Sequence, residues 1–160
     1  MNNIHPTALL GPNVVLGDNC YIGPYCLIGM PAEWKGHENE DKGVYIGDNV
    51  RITGLVTIDS GVNNPTYIGD DCYLMKHSHV GHDAHIWNDV TISCGAKIGG
   101  YTEIEQSCNI GLNASIHQKL IIPEGCMIGM GAVVTKRTEM QPYSKYVGNP
   151  AKFLSENICK

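Results

Sequence analysis

From Ile68 to Val134 a branched aliphatic stands at every sixth position: Ile68, Leu74, Val80, Ile86, Ile92, and so on to Ile128 and Val134. Four residues after each anchor comes a small or modest side chain, as at Cys72, Ser78, Ala84 and Val90. Glycine often follows the anchor directly, as at Gly69, Gly81, Gly99, Gly111 and Gly129. An amphipathic helix repeats at 3.6 and a half-buried strand at two, so neither explains a strict six. A hexapeptide period marks a parallel β-helix, in which each hexad is a short strand plus a turn and stacked coils bury what one coil cannot.

The same spacing opens the chain at Ile4, Leu10, Leu16, Ile22 and Ile28, and it returns at Ile46, Ile52 and Ile58. Between these blocks lies a polar insertion, Trp34 to Tyr45, and a shorter break with a turn-forming Pro65 runs from Asn64 to Tyr67. At three hexads per triangular coil, the twenty hexads predict about seven coils. The expected architecture is all-β, with the solenoid over residues 1–142, its loop insertion at 34–45, and a tail at 143–160. That tail caps the open end, with a short helix expected over Phe153-Leu-Ser-Glu-Asn.

Composition agrees with a narrow prism: one Phe and two Trp against 19 Gly. A net charge of −5 gives no reason to expect nucleic acid or an anionic membrane as partner. Neither a signal-peptide core nor an apolar run of membrane-spanning length is visible, so a cytoplasmic protein without membrane insertion is expected. Of seven cysteines, Cys20, Cys26, Cys72, Cys108 and Cys126 fall at the inward slot, where thiols pack as small hydrophobes. Cys94 and Cys159 fall elsewhere and suggest nothing.

Four histidines cluster at His77, His79, His82 and His85. Turn positions of a solenoid accept any polar residue, so the cluster alone is also compatible with plain surface. His82, however, is followed by Asp83, and a carboxylate beside an imidazole suits a general base working near neutral pH. Residues 18 apart stack in such a fold, which places Gly100 and then Gln118, with His117 beside it, above His82. A bare backbone amide at Gly100 suits an oxyanion. A convex prism offers no pocket by itself, so the site is expected between chains of a homo-oligomer. A zinc site in the manner of the β-helical carbonic anhydrases would need a histidine where Trp87 stands, so no metal is expected.

I-H-P-T-A near the start, Glu33-Trp-Lys35, L-M-K-H-S-H-V-G-H-D and I-H-Q at Ile116–Gln118 resemble the hexapeptide-repeat acyltransferases. Within them the likeness is strongest to the UDP-N-acetylglucosamine O-acyltransferases of lipid A biosynthesis. The resemblance implies a left-handed parallel β-helix, a homotrimer with sites between subunits, and acyl transfer without a bound cofactor. It implies His82 as general base, Asp83 as its orienting carboxylate and Gly100 as oxyanion donor. Glu33, Lys35, His79, His117 and Gln118 would bind substrate, and Met130 would sit at the end of the acyl groove. Tyr101 replaces a histidine of the lipid A enzymes, and their C-terminal helical domain has no counterpart after the last anchor. Met130 would close the groove to long chains, and Gly148-Asn-Pro-Ala-Lys152 resembles sugar acetyltransferases, where Lys152 would meet coenzyme A. Acetyl-CoA is therefore the expected co-substrate, with a sugar or nucleotide-sugar as acceptor. An acyl-carrier-protein-dependent UDP-N-acetylglucosamine O-acyltransferase and a catalytically silent scaffold are the alternatives.

Overall fold

A computed structural model describes residues 1–158; Cys159 lies outside the described residues. The chain forms a left-handed parallel β-helix with three faces of nine, seven and six strands. The first sheet begins with Asn3–Ile4, the second with Leu9–Leu10 and the third with Val14–Leu16. The chain visits them in that order coil after coil, so each strand pairs with the one three positions on. His79 stands opposite Lys97, and Val80 opposite Ile98. The third sheet ends at Ile121–Ile122, which leaves six complete coils, and the first two sheets continue beyond them. Among the described residues no helix is long and apolar enough to cross a membrane.

Anchors from Ile22 to Val134 are all buried, because each points into the prism between identical neighbours one coil away. Truncating one to alanine would cost about 2–5 kcal/mol, since so narrow a core has little room to collapse. The earliest anchors depart from the expectation: Ile4 is 42% exposed, as no coil lies beneath it. The inward cysteines follow the spacing and add a detail. Cys20, Cys72, Cys108 and Cys126 donate S–H bonds of 3.0–3.1 Å to the carbonyls of Gly47, Trp87, Pro123 and Gln141. Burial pushes the Cys72 thiol up to about 11 and Cys108 to about 12, so both stay protonated donors.

The tail differs from the helix expected there. Ser144–Val147 joins the first sheet in parallel beside Met127–Ile128, and Lys152–Glu156 returns antiparallel against it. A five-residue helix cannot repay its nucleation, whereas the sheet edge offers ready backbone partners. Tyr146 is buried under this hairpin, and its hydroxyl accepts the Gln141 amide at 2.6 Å.

Both chain excursions leave from one corner, between the second and third sheets. Leu27 pairs with Thr57, 30 residues on, and Thr57 with His79, 22 on, where the regular step is 18. The first excursion follows Leu27–Met30 and ends two residues before the polar spacing suggests, because Val44 and Tyr45 already pair with Val14 and Val15. The second follows Thr57–Asp59. The next turn at this corner carries His82.

Candidate active site

The His82–Asp83 turn joins His79–Val80 to His85–Ile86. Asp83 is buried and takes a left-handed φ of +57°, which short polar side chains tolerate. Its carboxylate accepts three amides of the second excursion: Val62 at 2.8 Å, Asn63 at 2.9 Å and Asn64 at 2.7 Å. It also lies 2.9 Å from His82 Nδ1. Burial alone would raise its pKa, but these four bonds prevail and hold it below the ordinary carboxylate value. An ionised carboxylate only accepts, so Nδ1 carries the imidazole proton and Nε2 keeps its lone pair.

Nε2 faces Gly100. A Cβ built on that glycine would fall 2.7 Å from Nε2, so the absent side chain is what lets the ring sit there. The Gly100 N–H donates to no protein acceptor among the described residues. The corner between the third and first sheets shows the contrast. There the amides of Asp18, Asp48 and Asp70 each donate to the side chain one coil above. The corner at Gly100 leaves its donor open, as an oxyanion requires.

The first excursion folds over this base. The Trp34 indole stacks on the His82 ring at 5.2 Å and 20°, and the Tyr101 ring meets it edge-on at 5.1 Å. Glu33, Trp34, His82, Tyr101, Gln118 and Lys119 line a cavity of about 170 Å³. A single chain thus builds a pocket that the bare prism would lack. His79 stands apart on the second sheet, with Nδ1 2.8 Å from Thr57 Oγ1 and Nε2 3.8 Å from Asp59. Burial lowers the His79 pKa, partly offset by Asp59, and burial raises that of Asp59. Asp59 also takes the Glu33 amide at 3.4 Å, tying the first excursion to the sheet.

Among the other expected residues, Glu33 and Gln118 reach the cavity, whereas Lys35 is exposed and does not line it. His117 turns toward the second sheet, where it lines an apolar groove with His79, Ile116 and Val133. Met130 is 76% exposed on a different corner, between the first and second sheets. Its offset from His82, 48 residues, is not a whole number of 18-residue coils, so an acyl arm cannot run straight from one to the other along a single chain. Lys152 lies on the tail hairpin, also away from His82. The pattern did not single out Trp34, Asp59, Asn63, Tyr101 or Lys119 for the site. Counting hexads in threes would have put both excursions and His82 on one corner. Among the described residues no three His, Cys, Asp or Glu side chains converge as metal ligands.

These features make a candidate active site on a parallel β-helix, and known proteins of similar sequence and fold are transferases. The model for bacterial transferase hexapeptide repeats matches residues 65–100, and that for the hexapeptide repeat of succinyl-transferase matches 101–136. The acyl-[acyl-carrier-protein]–UDP-N-acetylglucosamine O-acyltransferase of Burkholderia vietnamiensis is 32% identical over 133 residues, 81% of this chain and 50% of that protein. The Campylobacter concisus enzyme of the same name is 29% identical over 132 residues, with the same shares of the two chains. A crystal structure of a UDP-N-acetylglucosamine acyltransferase from Bacteroides fragilis superposes with a TM-score of 0.93 at 28% identity, covering 98% of this chain and 62% of that one. The chain is thus similar to hexapeptide-repeat acyltransferases over most of its length. It spans about half the length of the curated relatives it matches.

Proposed function

We propose that the chain transfers an acyl group from an acyl-carrier-protein thioester to a hydroxyl of a UDP-N-acetylglucosamine-type acceptor. The observation that carries this is the facing pair of His82 Nε2, with its lone pair free, and the open Gly100 amide. Nε2 takes the acceptor hydroxyl proton as the oxygen attacks the thioester carbon. The carbonyl electron pair moves to oxygen and is held by the Gly100 N–H. Collapse expels the thiolate, which recovers the proton from the imidazolium. Asp83 fixes the ring in the orientation and tautomer that present Nε2 to the acceptor. Glu33 and Gln118, which line the cavity, hold the acceptor; Lys35 follows on the same loop, and His79 and His117 line the neighbouring groove.

The column His82–Gly100–Gln118–Lys136 runs up this corner, three coils or roughly 14 Å from end to end at 4.8 Å per coil. A cavity of about 480 Å³ at its top is lined by His117, Thr135, Lys136, Arg137, Asn149 and Pro150. A pantetheine arm laid along the column would bring its phosphate to those cations, and Lys152 lies on the neighbouring hairpin. Met130 then belongs to a neighbouring subunit's contribution to the acyl groove. Exposed Tyr25, Leu55, Leu112 and Met130 give its corner an apolar edge suited to packing in a homotrimer.

The names of the relatives favour the carrier-protein donor over the acetyl-CoA expected from the tail. Steady-state assays with a 3-hydroxyacyl carrier protein and with acetyl-CoA test the choice: the carrier substrate should have the higher kcat/KM. A higher value for acetyl-CoA reinstates the acetyltransferase reading, and no thioester cleavage with any sugar leaves the silent scaffold.

A further inference from the structure

Lys119 fills a turn position with a φ of +61°, one coil above Tyr101 at +58°. On the corner between the third and first sheets the equivalent positions hold Asn19, Asn49, Asp71, Asp89, Ser107 and Gly125, which enter the left-handed region at low cost, and then Tyr143. Lysine and tyrosine enter that region at higher cost than asparagine or glycine. The Lys119 ammonium lies 5.2 Å from the centre of the Tyr101 ring. Among the described residues it makes no ion pair with a carboxylate. Asn63 Nδ2 donates to the Tyr101 hydroxyl, so the ring beneath the ammonium is itself anchored.

Two cavities meet at this pair. The inner one, about 170 Å³, holds His82. The outer one, about 560 Å³, is walled by Trp34, Tyr101, Leu120 and Ile121, with Asn63 and the Glu103 carboxylate at its side. The inner space suits one sugar ring and is below the usual size of a pocket for a larger ligand. The outer space has the aromatic and aliphatic walls that a nucleobase stacks on, and a cation stands between them.

We propose that Lys119 is a specificity-determining residue that binds the phosphate charge of a nucleoside-diphosphate acceptor, with the sugar in the inner cavity and the nucleoside in the outer one. This rests on the acyl-transfer reading above for the sugar's orientation. An unpaired ammonium over an aromatic face is a point charge that accepts a phosphate oxygen from several directions. It would act on acceptor binding and leave the chemical step alone.

Calorimetric titration of UDP into the full chain, its Lys119→Asn variant and its Lys119→Arg variant tests this. The asparagine variant should lose about tenfold or more in UDP affinity, the scale of one charged hydrogen bond. Its KM for UDP-N-acetylglucosamine should rise in parallel while kcat stays within about threefold. Its melting temperature should hold or rise, because asparagine suits the left-handed turn, which separates binding from folding. Arginine should restore most of the affinity. An asparagine variant that binds UDP as tightly as the parent overturns the assignment and leaves acyl transfer standing. A parent protein that ignores UDP yet acylates free N-acetylglucosamine overturns the nucleotide specificity as well. UDP binding lost in the variant, with no turnover of any acceptor by the parent, upholds Lys119 and sinks the transferase reading instead.

Discussion

Replacing Gly100 with alanine adds one methyl group at the proposed reacting centre. The Gly100 backbone lies outside the left-handed region, so alanine can adopt it. The new Cβ would stand 2.7 Å from His82 Nε2, 2.9 Å from Cε1 and 3.1 Å from Cδ2. Heavy atoms at rest need about 3.5–4.0 Å, so the imidazole must withdraw by roughly 1 Å. It cannot retreat freely, since Asp83 holds Nδ1 and Trp34 covers one face. A displacement of that size costs about 10²-fold in kcat, while KM changes little. Overpacking should also cost about 1–3 kcal/mol of stability. The double variant His82→Ala/Gly100→Ala should recover most of it, because the ring is then gone. Thiol release from the acyl donor, followed colorimetrically beside thermal melts of the parent and both variants, measures both effects. A Gly100→Ala enzyme within about threefold of the parent would mean that Nε2 is not where proton transfer occurs.

His82→Ala should lower kcat by about two to four powers of ten with the melting temperature nearly unchanged, and a tenfold or smaller loss would remove His82 from the mechanism. Asp83→Asn should lower activity less but melt earlier, by about 1–3 kcal/mol, because its amide group must face one of the three backbone donors; equal melting would show that the anchor is dispensable. Since the Asp83 pKa is depressed on folding, its stabilisation is complete above the unfolded value near 3.9 and is lost as pH falls through the lower folded value. Acid melts of the parent should show this decline, and Asp83→Asn should flatten it. Cys72 and Cys108, buried with raised pKa values, should resist iodoacetamide at pH 8 in the native protein, and mass spectrometry showing rapid labelling there would contradict the packed core. Sedimentation should give a trimer, and a fully active monomer would remove Met130 from the acyl groove.

The repeating isoleucines reveal the fold because burial of each anchor depends only on neighbours at a fixed chain distance. His82, Asp83 and Gly100 were legible for the same reason, being adjacent or one coil apart. Trp34 was not, since the path of an aperiodic loop is set by what it lands on, here the face of His82. Asp59 looked like an ordinary strand residue; only its burial beside His79 and the Glu33 amide marks it. Phe153 to Glu156 carries neither a helical nor a strand period over so few residues, and the open edge of the first sheet decided its conformation.

Because both excursions, His82, Gly100 and Lys119 share one corner, the chain has a counting frame of three hexads. Removing a single hexad, such as residues 69–74, would leave every later aliphatic in its six-residue spacing and the core chemically intact. It would, however, rotate His82 by a third of a turn relative to Trp34 and Asn63, onto a different edge of the prism. Removing three hexads would shorten the prism by a coil and restore the alignment of corners. The core of this architecture repeats in units of six, but the arrangement of the proposed site repeats only in units of eighteen.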